Sequence, residues 1–266
     1  MTNKQGQNCK IKNTLNSPSI LEGVPVGQGS NIKSKILLNE KQNIGSLFNR
    51  IAGSYDRLNH LLSLNIDKRW RKKAVKMLHP CEQLLDVAIG TADLSIEIIR
   101  QGKAQHITGI DLSTEMMRIG EQKVAKRNMQ GQIEFVEGSA LALPYPDRHF
   151  DAVTCAYGVR NFSDLDQGLR EMRRVLKPGG QLMILEFSYP KNKLIAWFYD
   201  LYFSHILPKI GQWLSKDKTA YGYLNRSVKN FIWGEEMAER LRKAGFSGVH
   251  YRTLSCGITT VYEARG

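Results

Sequence analysis

A chain of 266 residues is long enough for one large hydrophobic core and short for two. Its composition is that of an ordinary soluble protein, and no stretch reaches the apolar length that spans a bilayer. The formal charge of +13 admits nucleic acid, an anionic membrane surface or simple solubility. The cations are dispersed, though, and no RNA-binding signature or zinc finger accompanies the densest cluster, Lys68 to Lys73, so nucleic acid is disfavoured.

Residues 1–42 are rich in Asn, Gln, Ser, Gly and Lys and carry no hydrophobic periodicity, which predicts a disordered tail ahead of a domain over 43–266. Residues 1–30 lack the apolar core of a signal peptide. The four cysteines, Cys9, Cys81, Cys155 and Cys256, are far apart and form no Cys-x-x-Cys, and the histidines show no metal-ligand spacing. No disulfide framework or metal site is expected, and a reducing, cytoplasmic setting fits.

Two short helices are predicted over 42–55 and 67–78. The second sets Trp70, Val75 and Leu78 among many Lys and Arg, as an amphipathic surface helix does. From residue 83 the pattern alternates. Strands are predicted at Gln83–Val87, His106–Ile110, Ile133–Glu137, Phe150–Cys155 and Gln181–Phe187. Helices are predicted at Ala92–Arg100, Thr114–Arg127 and Asp164–Leu176. Pro178-Gly179-Gly180 reads as a tight turn into the last of these strands. Such alternation makes a parallel α/β sheet with helices on both faces. After a helix at Glu235–Ala244, Gly248–Leu254 and Thr259–Ala264 read as an antiparallel hairpin. A mostly parallel, Rossmann-like seven-stranded sheet closed by such a hairpin is the architecture of class I methyltransferases. Residues 189–233 break the rhythm with an insert that includes Trp197, Phe198, Tyr199, Trp213 and Trp233. It reads either as extra core packing or as a lid over an apolar substrate. Its stretch Leu194–Leu214 suits a membrane surface, because Asp200, His205, Pro208 and Lys209 interrupt it.

The loop Asp86-Val-Ala-Ile-Gly90-Thr91-Ala-Asp93 follows the first strand and opens a helix, where free backbone N–H groups meet a ligand. It holds one glycine where a pyrophosphate loop needs Gly-x-Gly-x-x-Gly, so a dinucleotide fits poorly. S-adenosyl-L-methionine has no phosphate, and its ammonium suits carboxylates such as Asp86 or Asp93. Asp111, about twenty residues on, stands where an acid accepts both ribose hydroxyls, or caps the next helix. In methyltransferases the region after the third strand lines the adenine, which would put Ser139 and Ala140 there, while a solvated loop serine is the plain alternative for Ser139. Glu186 and Ser188 end the strand that follows Pro178-Gly179-Gly180, at the carboxyl edge where open α/β sheets bind ligands.

The chain resembles the UbiE/MenG family, the C-methyltransferases of menaquinone and ubiquinone biosynthesis, over about residues 43–266. Two motifs carry the resemblance: Tyr55-Asp56-Arg-Leu-Asn59 with Ser63 and Trp70, and Arg174 through Ser188. Gly158-Val-Arg160-Asn161, Leu207 through Gly211, and Ala220 through Leu224 with Ser227 add to it. Departures fall at Ile89, Ala92, Ser139, Ala156 and Asp67, and those at Ile89 and Ala92 are expected to tighten the cofactor pocket. The resemblance implies S-adenosyl-L-methionine as methyl donor, with Asp86, Gly90, Thr91, Asp111, Ser139, Ala140 and Ala156 around it. It implies a prenylated hydroquinone as acceptor, most simply demethylmenaquinol, with a 2-methoxy-6-polyprenyl-benzoquinol as the alternative. A non-catalytic cofactor-binding accessory protein is the reading from another class.

The implied chemistry is attack by an aromatic carbon, activated when a ring hydroxyl loses its proton. Arg160 would stabilise the phenolate or order a water, and Asn161 would hold a ring oxygen. Tyr55 and Asp56 would close over the site, and Glu186 would serve as base if burial raises its pKa. An apolar substrate tail implies peripheral contact with the inner face of the cell membrane, helped by the basic helix 67–78. The sequence leaves a homodimer open.

Overall fold

The computed structural model of the protein describes residues 44–202, Tyr223 and residues 226–266. The expectations for residues 1–42 and for the middle of the insert, including Trp213 and the stretch 207–211, lie outside the described residues. Seven strands form the sheet: β1 (Cys81–Val87), β2 (Ala104–Asp111), β3 (Ile133–Glu137), β4 (Phe150–Ala156), β5 (Leu176–Phe187), β6 (Ser247–Leu254) and β7 (Thr259–Arg265). Their order is β3-β2-β1-β4-β5-β7-β6. The first five run parallel, and β7 is antiparallel to both of its neighbours.

Seven labelled helices surround it: α1 (Ile44–Leu62), α2 (Ile66–Met77), α3 (Asp93–Arg100), α4 (Thr114–Ala125), α5 (Leu165–Val175), α6 (Lys193–Leu201) and α7 (Glu235–Lys243). The central strands are apolar on both faces because helices cover both. Alternate residues enter opposite layers. Leu84, Met183 and Leu185 pack with Trp70 and Val75 of α2, Ile98 of α3 and Met117 of α4. Leu85, Leu182 and Ile184 pack with Leu169 and Met172 of α5 and Leu241 of α7.

One expectation is corrected. Pro178-Gly179-Gly180 is no turn before the strand but an irregularity within β5. Leu176 pairs with Phe150 and Gln181 with Ala152, so the chain bulges between them. The C-terminus stitches the bulge: Gly179 N–H donates to the Gly266 carbonyl and Gly266 N–H to the Gly180 carbonyl, both at 2.9 Å. Gly179 has φ +73°, and a Cβ on Gly180 would lie 2.8 Å from the Asp151 carbonyl oxygen. Glycine is therefore required twice.

The N-terminal helices are tied to the sheet at its carboxyl edge. Asn49 Oδ1 accepts from Ser113 Oγ at 2.7 Å and Glu115 N–H at 3.1 Å, which docks α1 on the start of α4. Trp70 Nε1 donates to Ser255 Oγ at 2.8 Å, which ties α2 to the β6–β7 connection. The Trp70 ring also meets Phe187 edge-on.

Candidate active site

The sheet order reverses between β1 and β4, and the loops leaving those strands splay apart. In open α/β sheets this crevice is where ligands bind. A cavity of about 280 Å³ lies there, walled by Gly90 after β1, Asp111 after β2, Ser139 and Ala140 after β3, and Ala156 and Asn161 around β4. Ile44, Phe48 and Tyr55 of α1 close its other side. Seven of the residues singled out from sequence thus converge. Asp86, Thr91, Asp56, Arg160 and Glu186 stand behind this wall.

Backbone strain clusters on the two crests. Ala88, Gly90 and Ala92 have φ of +59°, +54° and +63°, and Tyr157, at the matching place after β4, has φ +58°. For a non-glycine residue this conformation costs about 1–2 kcal/mol. Strain of this kind gathers where a loop is held in one shape for a ligand.

Asp111 lies at the cavity wall and braces the two loops beside it, while the cap of α4 is Ser113, whose Oγ accepts from Met116 N–H. Asp111 Oδ1 accepts from Ser113 N–H at 2.9 Å, and its Oδ2 accepts from Gly90 N–H at 2.8 Å, fixing the loop. Burial pushes its carboxyl up, opposed by these backbone donors. Asp86 lies beneath the loop, and accepts from Ser95 Oγ at 2.6 Å and Thr154 Oγ1 at 2.8 Å. Burial pushes it up to about 6 against those two donors. Ser139 Oγ accepts from Leu141 N–H at 3.2 Å.

Ile89 departs from the expectation that it tightens the pocket. It is a core residue, 5% exposed, and lies over Gly109 of β2, where an added Cβ would sit 2.0 Å from Ile89 Cδ1. Gly109 makes room for it. Ala92 is buried at the cap position just before α3, and it too is absent from the cavity wall.

Asp56 and Thr91 belong to an ionic clasp. Asp56 accepts from Thr91 Oγ1 at 2.6 Å and from Lys123 Nζ at 2.9 Å. Lys123 also donates to Asp93. Arg71 Nη1 lies 3.7 Å from Asp93 and 2.5 Å from Asp67, and Asp67 accepts from Ser63 Oγ at 2.6 Å. Burial would raise the Asp93 carboxyl, but Arg71 and Lys123 hold it below its usual value. Signature residues Asp56 and Ser63, with Asp67 and Arg71, thus fasten α1 and α2 to the loop between β1 and α3.

Arg160 and Glu186 form a buried ion pair, 3% and 0% exposed. Glu186 Oε1 accepts from Arg160 Nη1 and Phe187 N–H, each at 2.8 Å, and Oε2 accepts from Arg160 N–H at 3.2 Å. Arg160 also donates to the Tyr157 carbonyl and stacks over Phe187 at 5.4 Å. Its Nε is buried without a partner among the described residues. Burial would lower the guanidinium, but Glu186 and the phenols of Tyr55 and Tyr223 hold it above its usual value. Burial likewise raises Tyr55, with Arg160 pulling the other way. Asn161 Oδ1 accepts from the Tyr223 hydroxyl at 2.8 Å. Ser188 is buried, donates to the Gly257 carbonyl and accepts from Thr260 Oγ1, both at 2.8 Å, so it joins the hairpin to β5.

Sequence reasoning passed over Tyr157 and Lys123. Tyr157 lines the cavity, stacks on Phe187 with ring centroids 4.5 Å apart, and carries the Arg71 guanidinium 5.6 Å above its ring. Its place between β4 and Gly158 was the available signal. Lys123 sits within α4 and has no local signal.

Among solved structures, the [4+2]-cyclase SpnF superposes with a TM-score of 0.62 at 18% identity, covering 85% of this chain and 95% of that one. A possible histamine N-methyltransferase from Thermotoga maritima gives 0.60 at 20%, covering 83% and 98%. At such identities the likeness shows the fold alone. The demethylmenaquinone methyltransferase of Porphyromonas gingivalis is 46% identical over 226 residues, which is 84% of this chain and 92% of that protein. The ubiquinone/menaquinone biosynthesis C-methyltransferase UbiE of Geobacter sulfurreducens is 44% identical, covering 85% and 89%. Residues 35–265 match the ubiE/COQ5 methyltransferase family, and with relatives this similar along most of their length the chain belongs to that family.

Proposed function

We propose that the protein methylates a ring carbon of a prenylated hydroquinone with S-adenosyl-L-methionine, converting demethylmenaquinol to menaquinol. The observation that carries this reading is the buried cation of Arg160, set among the phenols of Tyr55 and Tyr223 beside a cavity at the sheet's switch point. Behind the wall the guanidinium is paired with Glu186, and its Nε, buried without a partner among the described residues, is the donor left for a substrate oxygen.

The cavity's donor set fits the methyl donor. Asp111, a carboxylate on the cavity wall, suits a diol as hydrogen-bond acceptor. Ile110, Leu112 and Met116 supply apolar surface, and an added Cβ at Gly90 would meet only Met116 Cε at 3.9 Å, so the backbone there is open to a ligand. Asp86, beneath the loop, adds negative charge suited to an amino group. When bound, the donor supplies a methyl on a cationic sulfur, open to attack by a carbon nucleophile.

The chain's own residues do the rest. Arg160 stabilises the ring oxygen as its proton passes to a water molecule, and cannot itself be the free base because it stays protonated. Glu186 has both oxygens engaged by three donors, so its part is to hold Arg160. Asn161, fixed by Tyr223, orients a ring oxygen. Tyr55 and Phe48 of α1 exclude water from the cavity. The name of the Porphyromonas gingivalis relative favours the naphthoquinol over the benzoquinol.

Labelled S-adenosyl-L-methionine offered with reduced demethylmenaquinone, and with a reduced demethylated benzoquinol as competitor, tests the proposal. Methylated naphthoquinol is the expected main product. Label on the benzoquinol alone would move the substrate class, and label on neither, with donor bound, would favour an accessory protein.

A further inference from the structure

A surface helix ordinarily turns its apolar stripe toward the core. α6 does the reverse. Leu194, Trp197, Phe198 and Leu201, spaced i, i+3, i+4 and i+7, are 65%, 58%, 56% and 39% exposed. The Trp197 and Phe198 rings meet edge-on with centroids 4.8 Å apart, which makes one continuous patch. The helix's acid is turned away from the patch: Asp200 accepts from the Tyr189 hydroxyl at 2.5 Å and pairs with Lys229 at 2.8 Å. On the inner side Tyr199 is buried with Val228, against Phe187 and Tyr189.

Charge frames this patch. Lys191 and Lys193 are exposed at the start of α6, and Arg226 is exposed on the adjoining helical segment 226–230. Among the described residues of 189–233, four Lys or Arg stand against one Asp. Aromatic and aliphatic side chains pointing outward among cations are the chemistry of a helix lying in a bilayer interface, with Trp at headgroup depth and lysines on anionic lipid. α2 is also basic, but its Trp70, Ala74 and Val75 are buried, so it presents charge to solvent without an apolar face. We infer that the outer face of α6 seats the protein on an anionic lipid bilayer. The inference deepens the proposed function, since a prenylated substrate resides in a bilayer. Phe187 touches both the Tyr199 cluster and Arg160, so the membrane would lie one helix away from the site.

The test is sedimentation of the full chain with phosphatidylcholine vesicles, with and without a third of phosphatidylglycerol. Neither quinol nor methyl donor is present, so the result does not depend on the reaction proposed. The protein should partition onto the anionic vesicles. Trp197→Gln/Phe198→Gln should lower that partition roughly tenfold or more, with the far-UV spectrum unchanged. Lys193→Glu should lower it several-fold on anionic vesicles only. Glutamate suits the first turn of a helix, so this variant keeps its fold. Three results would overturn the inference: no binding by the unaltered chain, undiminished binding by the aromatic variant, or a change in self-association with vesicle binding intact. The last would make a second copy of the chain the occupant of the patch.

Discussion

Gly109→Ala probes whether Ile89 belongs to the core or to the cofactor pocket. The new Cβ would stand 2.0 Å from Ile89 Cδ1 and 2.9 Å from its Cβ and Cγ1. Ordinary carbon contacts lie near ~3.5–4.0 Å, so the side chain must move by more than about 1 Å. Ile89 has little freedom to do so. Its χ1 is restricted by branching, its N–H donates to the Ile110 carbonyl at 3.1 Å, and its carbonyl accepts from Ala92 N–H at 2.9 Å. The displacement therefore passes into the loop around Gly90. Overpacking of this kind costs about 1–3 kcal/mol, a fall in Tm of roughly 2–12 °C for a domain of this size. Affinity for S-adenosyl-L-methionine, measured by titration calorimetry, should fall with it. Ile89→Ala alone should also destabilise, by about 2–5 kcal/mol, through the cavity it leaves. The double variant removes the Cδ1 and Cγ1 clashes, so its cost should fall short of the sum of the single costs by about 1 kcal/mol or more. Additive costs, or a neutral Gly109→Ala, would refute the placement and return Ile89 to the pocket as a determinant of donor affinity.

Glu186→Gln leaves Arg160 a buried cation without its carboxylate, and should cost about 3–5 kcal/mol in urea unfolding. Adding Arg160→Met should recover much of that stability while methyl transfer stays lost, which separates folding from chemistry. Asp86 predicts a pH effect. Burial pushes its carboxyl from the ordinary 3.8 up to about 6, so the folded state binds the proton more tightly. The stability this confers is fully present below the unfolded pKa and is lost as pH rises through the folded one. Asp86→Asn should therefore gain on the parent as the solution becomes alkaline, by about 1–3 kcal/mol in melts across pH, and have no advantage in acid. Lys123→Met removes the cation shared by Asp56 and Asp93, both partly solvated, and should cost only about 1 kcal/mol of stability. It should loosen α1 from the loop and raise the KM for the donor more than it lowers kcat.

The parallel strands were legible because they are buried on both faces and read as short apolar runs between turn signals. The hairpin was legible because its strands are close in sequence. Helix ends were less so: α1 runs to Leu62 and not to residue 55, because its last turns are held by partners remote in sequence. The cavity wall could be read from strand ends alone, since topology brings the residues after β1, β2, β3 and β4 to one edge. The bulge within β5 could not, because Gly179 is set by its hydrogen bond to Gly266.

Side-chain destinations required the third dimension. An isoleucine in a glycine-poor loop suggests a narrowed pocket until Gly109 on the neighbouring strand is seen to receive it. Asp56, read as a lid over substrate, spends its carboxylate on Thr91 and Lys123, and Lys123 lies 67 residues away. α6 is the sharpest case. Its apolar spacing is that of any core-facing helix, and the burial of Tyr199 with the pairing of Asp200 to Tyr189 and Lys229 shows which side turns inward. Periodicity fixes which residues share a face, but not what that face meets. For α6 the sign is inverted, so the stripe that would ordinarily close a core is left for a solvent other than water.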